Sequence, residues 1–170
     1  MAPIKEFSSA DLNTISRLSG VSNVLVKVNG ATVAASSFTG LLDTYTGAAA
    51  AYSTRRLNSQ YTGAAMRVRE DSGDTETDIG FDANGNLDTA AIATHCGSAN
   101  GYVTKWYDQA ASGGTGSGND AEQSTNGIQP QIYNGSAVIT ENGKPAIYFT
   151  KDEQLASSLG SLQTVTFFFF

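Results

Sequence analysis

Tyr102-Val103-Thr104-Lys105-Trp106-Tyr107, followed by Asp108-Gln109, is the most strand-like run of the 170-residue chain. It is dense in aromatic and β-branched residues, which fit a pleated, half-buried surface. Its neighbours repeat the theme in short pieces. Upstream, Ala64 to Arg69 alternates Ala65, Arg67 and Arg69 against Ala64, Met66 and Val68, and Thr77 to Phe81 reads as a second strand. Downstream, Ile128 to Tyr133, Ala137 to Thr140 and Ala146 to Phe149 read as three more, parted by Asn-Gly turns at 134–135 and 142–143. Another Asn-Gly turn falls at 84–85. Many short strands with glycine-rich turns predict a mainly β fold, a β-sandwich or jelly roll.

Two short helices interrupt the strands. Residues 39–58 read as one, because four alanines follow Gly47 and Arg55-Arg56 suit a helix C-terminus. Asp88 to His95 reads as the other, with Asp88 as its N-cap and Gly97 as its stop. Residues 1–38 look different. They hold two related phrases, Ile15-Ser16-Arg17-Leu18-Ser19-Gly20-Val21 and Leu25-Val26-Lys27-Val28-Asn29-Gly30-Ala31. The expected local form is a helix from Ser9 or Asp11 to Leu18, then a strand from Val24 to Val28 that turns at Asn29-Gly30. So small an element buries little alone, which predicts that it docks on something else. The domains are therefore 1–38, an anchoring segment, and 39–170, the β body. The chain ends on Thr164-Val165-Thr166 and four Phe. Exposed, these would invite association, so the sandwich is expected to be incomplete at this end and finished by further chain or a neighbour.

Composition excludes several classes. Charged residues are 15% and the net charge is −6, with no Lys/Arg cluster beyond Arg55-Arg56 and Arg67/Arg69. A nucleic-acid partner is not expected, since such binders carry a basic face. No apolar run approaches the ~20 residues of a membrane helix. The single cysteine, Cys96, excludes an intrachain disulfide or a multi-cysteine zinc site. The N-terminal MAPIKEFSSADLN has no apolar core of a secretory signal. No cofactor or metal is expected.

Candidate chemistry is sparse. Asp82 to Asp88 imitates a calcium loop, but Leu87 and Ala93 stand where Gly and Glu are required; it reads as a turn and a helix cap. Seven acidic residues lie between Glu70 and Asp88. Asp71, Asp74, Glu76 and Asp78 could bind a cation, yet the run reads better as a solvated strand connection. His95 and Cys96 are adjacent and so point apart on a helix, which reads as a buried helix end. Asp108 with Asp120 or Glu122 is the one pair to nominate for glycoside hydrolysis, which needs two facing carboxylates. The competing reading has Asp108 and Gln109 satisfying backbone groups at a strand end.

An ordered series of phrases carries a resemblance: AYSTRRL (51–57), YTGAAMRVR (61–69), DIGFD (78–82), LDTAAI (87–92), YVTKWYDQ (102–109), GNDAEQ (118–123), QPQI (129–132) and ENGKPAIYF (141–149). The series resembles phage and marine-bacterial proteins with a concanavalin-A-like (LamG-type) lectin sandwich. More distantly it is similar to the catalytic domain of the α-L-arabinofuranosidase B family. The phrases at 15–31 resemble an element of phage virion proteins that precedes an adhesin-like domain. The resemblance implies a virion structural protein, on capsid, tail or fibre, made in the host cytoplasm. Residues 1–38 would contact other virion proteins, and the lectin-like body would contact host-surface glycans as a homo-oligomer. It marks Arg55, Asp78, Tyr107, Asp108, Gln109, Asn119 and Asp120 as motif positions. Arg55 paired to Asp78 would tie helix to strand, and Trp106, Tyr107 and Tyr133 are candidate sugar platforms, though each reads better as core. The chain departs from the pattern in its longer loop, DQAASGGTGSGND (108–120), and in lacking the cysteines of the secreted relatives, whose catalytic carboxylates fall in later sequence. The expectation is therefore not an enzyme. A glycoside hydrolase and a ligand-free capsid cement protein remain the alternatives.

Overall fold

The computed structural model describes residues 25–28, 31–34, 38–110 and 118–159. The expected helix ending at Leu18, the phrase at 15–21, the centre of the glycine loop and the terminal Phe run lie outside the described residues. The chain divides into two compact units, 1–37 and 38–170. In the first, strands β1 (Leu25–Val28) and β2 (Ala31–Ala34) pair antiparallel with Val28 opposite Ala31. Only Asn29 and Gly30 separate them, the hairpin the dipeptide predicts.

The second unit runs α1 (Leu41–Thr44), β3 (Met66–Glu70), β4 (Glu76–Ile79), α2 (Thr89–Cys96), β5 (Asn100–Trp106), β6 (Ala121–Glu122), β7 (Gln131–Asn134), β8 (Thr140–Glu141), β9 (Lys144–Pro145) and β10 (Ala156–Ser157). It is mainly β and its sheets are antiparallel, consistent with a β-sandwich, and among the described residues none closes into a barrel. The main sheet has the order β10-β6-β5-β3-β4. β3 lines one edge of β5 along its length, while β6 and β7 share the other, β6 at Lys105–Trp106 and β7 at Asn100–Tyr102. No described helix is long and apolar enough to cross a membrane.

One face of this sheet is the core. Ala65, Met66, Val68, Ile79, Val103, Ile132 and Tyr133 pack with Leu87 and with Ile92 and Cys96 of α2. α2 forms as its ends dictate: the Asp88 carboxylate accepts from the Ala91 N–H at 3.0 Å, and Gly97 leaves the helix at φ 58°. It lies close to the sheet because Gly101 has no side chain. A Cβ there would sit 2.7 Å from Cys96 Sγ and 3.0 Å from Tyr133 Cβ. Two bulges reset the alternation of faces. Ile132 is an extra residue against β5, which lets Ile132 and Tyr133 both face inward. Thr104 is an extra residue against β3, since Arg67 faces Lys105 and Val68 faces Val103. Without that bulge Val103 and Lys105 would share a face. With it, Val103 enters the core and Lys105 joins Arg67 on the outer face.

The helix expected over 39–58 is not formed. Only Leu41–Thr44 is helical, and 45–65 is irregular. Alanine propensity is worth tenths of a kcal/mol per residue, and here the peptide groups have other partners. Ala51 N–H donates to Asp108, Leu57 N–H to Gln109, Arg56 N–H to Gly85 O, and Leu87 N–H to Thr54 O. Of the three expected C-terminal strands, Ile128–Tyr133 forms in part as β7, Ala137–Thr140 is strand only at Thr140, and Ala146–Phe149 is not a strand, since β9 lies before it at Lys144–Pro145. Isolated pairings Tyr133–Val138 and Gln131–Tyr148 carry their flanks.

Candidate functional site

The motif residues Asp108, Gln109, Asn119 and Asp120 do come together, where β5 ends and β6 begins. Asp108 and Gln109 are fully buried. Asp108 Oδ1 accepts from Ala51 N–H and Ala110 N–H, each at 2.8 Å, and Oδ2 from Asn119 N–H at 3.4 Å. Its own N–H donates to Asp120 Oδ1 at 3.0 Å. Gln109 Oε1 accepts from Leu57 N–H at 2.8 Å, and its Nε2 donates to the carbonyls of Ser53 and Arg55 at 3.2 and 3.1 Å. Asn119 Nδ2 donates to Ala49 O at 3.0 Å, and its carbonyl accepts from Tyr52 and Ser157 hydroxyls. The cluster is a knot that fastens segment 49–57 to the sheet. Buried polar groups must be paired, and here two side chains meet the needs of a stretch without secondary structure.

The Arg55–Asp78 tie is not made. Arg55 is exposed and its backbone pairs with Asn86. Asp78 instead meets Arg67, its register partner across β3 and β4, with Nε–Oδ1 at 2.7 Å and Nη2–Oδ2 at 3.0 Å. The Tyr107 hydroxyl donates to the same carboxylate at 2.8 Å. The Arg67 hydrogen bond, foremost, holds the Asp78 carboxyl below its usual range against the opposing effect of burial. Burial, then donation to Asp78, pushes the Tyr107 hydroxyl well up. Trp106 is half-buried with its ring 5.8 Å from that of Tyr52. Tyr133 is 4% exposed and belongs to the core, the favoured of its two readings.

The acidic run serves its own turns. Glu70 accepts from Ser72, Gly73 and Thr75 N–H groups and from the Ser72 and Thr75 hydroxyls, and the Ser72 hydroxyl foremost holds its carboxyl far below the usual range. Asp71 accepts from both Asn100 N–H and its side-chain amide, Asp74 pairs with Arg69, and Asp82 accepts from Asn84 and Asn86 N–H groups. Among the described residues no three His, Cys, Asp or Glu side chains group to hold a metal ion. His95 Nε2 lies 3.1 Å from Val68 O and 3.2 Å from Thr75 O. Cys96 is buried, and burial pushes its thiol up to about 11, the opposite of an activated nucleophile.

A feature missed in the sequence crosses the outer face of the sheet. Register places Asp78, Arg67, Lys105 and Glu122 in one row over four strands. The two cations face each other, and each is compensated on its outer side. Lys105 Nζ is 2.5 Å from Glu122 Oε1 and 3.7 Å from Asp120 Oδ2, and stands 5.5 Å over the Tyr107 ring. Beside the row is a groove of about 260 Å³ lined by Arg67, Glu76, Thr104, Lys105, Glu122, Gln123 and Ser124. Charged residues at alternate strand positions, opposite apolar ones, were its visible signal. The bulge that brings Lys105 outward had none.

Chemically, the groove offers hydrogen-bond donors and acceptors side by side. Of the pair Asp108 with Asp120 or Glu122, Asp108 is buried in the knot with its N–H on Asp120 Oδ1. Asp43, Glu70, Asp78 and Asp82 are all held below the usual carboxylate range.

Comparison with known proteins gives one result. The family described as "Alpha-L-arabinofuranosidase B, catalytic" matches residues 42–150. No curated protein and no solved structure matches the chain. The matched span runs from α1 through β9 and holds the knot, the charged row and the groove, and on that match the chain belongs to the α-L-arabinofuranosidase B catalytic-domain family.

Proposed function

We propose that the protein is a non-hydrolytic member of this family, a lectin-like virion structural protein. Its second unit contacts host-surface glycans, and its first unit joins other virion proteins. The observation that carries the reading is the state of Asp108. The carboxylate of the family phrase, one of the pair nominated for hydrolysis, is fully buried and committed to three backbone N–H groups, which supports the non-hydrolytic part of the reading. The virion role rests on the phrases at 15–31, and multiplication of weak sites in a homo-oligomer would supply avidity.

The family match favours a second reading, hydrolysis of an arabinofuranoside. Asp120 and Glu122, two positions apart and sharing Lys105, would then be the pair. One experiment separates the two. The full chain is applied to a glycan array and, in parallel, incubated with p-nitrophenyl α-L-arabinofuranoside. Retention on the array without release of nitrophenol is expected. Release that disappears in Glu122→Gln would establish the enzyme, and no retention with no release would leave the cement role. Gold-labelled antibody on purified particles tests the virion role separately, and unlabelled particles would remove it.

A further inference from the structure

Asn-Gly dipeptides stand at 84–85, 100–101, 126–127, 134–135 and 142–143 among the described residues. Glycine after asparagine opens a reaction that a larger residue hinders. The glycine nitrogen, with no Cβ beside it, can attack the asparagine Cγ and close a five-membered succinimide. Three freedoms are needed. The asparagine amide must swing, the glycine N–H must lose its proton, and the backbone between them must rotate.

Four of the sites are held. Gly85 is buried, its N–H donates to Asp82 O at 3.0 Å, and a Cβ there would meet the Phe38 ring at 2.7 Å. The Asn100 amide donates to Asp71 at 2.9 Å and accepts from Gln131 at 3.2 Å, and Gly101 is buried within β5. Asn134 Oδ1 accepts from the Ser136 and Ala137 N–H groups at 3.1 and 2.9 Å. Asn126 Nδ2 donates to Asp74 Oδ1 at 3.3 Å, within a short 3₁₀ turn, Asn126–Ile128, that the Ile128 N–H closes on Thr125 O. Asn142-Gly143 differs on every count. Both residues are exposed, and among the described residues nothing accepts from the Asn142 amide or the Gly143 N–H. No atom lies within 4 Å of where a Gly143 Cβ would be. The pair forms the two-residue turn of β8 and β9 at φ 48° and 74°. A left-handed backbone is one that asparagine tolerates without preferring it. Two strands of two residues each hold it, so the turn opens at little cost, and opening supplies the rotation.

We propose that Asn142 is a site of spontaneous deamidation, the first of these five to react. The Gly143 nitrogen gives its proton to hydroxide and bonds to Asn142 Cγ. The bond from Cγ to the side-chain nitrogen breaks, and ammonia leaves. Water then opens the ring. Opening at the side-chain carbonyl gives aspartate, and opening at the main-chain carbonyl gives isoaspartate, in which the chain runs on through Cβ and Cγ. Either product places a new carboxylate between Glu141 and Lys144. Isoaspartate also adds one carbon to the main chain, and a two-residue turn has no slack for it. The product loosens β8–β9 and, with it, the Ala146 N–H bond to Ile139 O at 2.9 Å. The site is independent of what the protein binds.

The test ages the full chain at alkaline pH, with and without urea, and maps its peptides by mass spectrometry. In the folded protein, exchange of amide for acid is expected at Asn142 roughly tenfold faster than at Asn84, Asn100, Asn126 or Asn134, the delay from a hydrogen bond that must open first. The rate should rise with pH, since hydroxide takes the Gly143 proton. In urea the five sites should react at similar rates. Asn142→Gly keeps the turn, which a Gly-Gly pair suits, and should remove the earliest product. Ageing should speed hydrogen exchange at Ala146 in the parent and leave it unchanged in Asn142→Gly. Faster reaction at any of the other four in the folded protein would overturn the assignment. So would the same order of rates in urea, because the order would then belong to the local sequence and not to the fold.

Discussion

Asp108 shows how much one side chain can organise. Its carboxylate joins Ala51, Ala110 and Asn119, three points separated by up to 68 residues of chain, and its own N–H reaches Asp120. All four bonds are at least partly buried, where hydrogen bonds are stronger than in water. Asp108→Asn replaces an acceptor with an amide that must point N–H at N–H. The expected loss is about 1–3 kcal/mol, the range for an orphaned buried partner, read as a lower urea midpoint. Arg67–Asp78 is a useful contrast. Its side chains are 38% and 45% exposed, so breaking it should cost about 0–1 kcal/mol despite two good hydrogen bonds. If Asp108→Asn unfolded at the parent midpoint while abolishing hydrolysis of an arabinofuranoside, the knot would be a catalytic site after all.

At the scale of elements, the β3–β4 hairpin is held by its own acid. Glu70 ties together Ser72, Gly73 and Thr75, and Asp74 crosses the turn at φ 57°. Because the folded Glu70 carboxyl sits below its ordinary 4.5, the contribution is fully present above that value and is lost as pH falls through the lower folded one. Stability should therefore decline below about pH 4.5, near the ordinary carboxyl pKa. Glu70→Gln should be less stable than the parent at pH 7, with the gap narrowing at pH 3. Urea unfolding of both proteins at both pH values tests this, and a gap unchanged with pH would show that the turn does not depend on the charge.

Elements were legible where their signals are local. The caps of α2 and the alternation of β3 act over a few residues, and each led to the right element. Segment 39–58 failed because its partners, Asp108 and Gln109, lie some fifty residues on. Propensity alone cannot see them. The knot was legible as a cluster of residues but not in its wiring, and Arg55 was paired with the wrong acid because the helix meant to carry it does not exist. The groove was not legible, since its walls are set by register and the register by a bulge at Thr104.

For the second unit as a whole, Cys96 is a built-in reporter of opening. It is 4% exposed, the last residue of α2 with its sulfur against Gly101, and burial raises its thiol to about 11. A disulfide reagent such as DTNB needs the thiolate and needs access. Two routes are open to it, and they differ in pH dependence. Attack on the folded protein would climb tenfold per pH unit up to about 11. Attack after the core opens would follow the exposed thiol and level off above about 8.5. The second route is expected, because the covering contacts are the apolar core itself. Labelling of the native protein at pH 8 should then be slow, accelerate with urea below the unfolding midpoint, and flatten between pH 8.5 and 10. A rate that keeps rising past pH 10 and ignores urea would place a path for the reagent beside α2, and the packing of that helix on the sheet would be looser than its contacts imply.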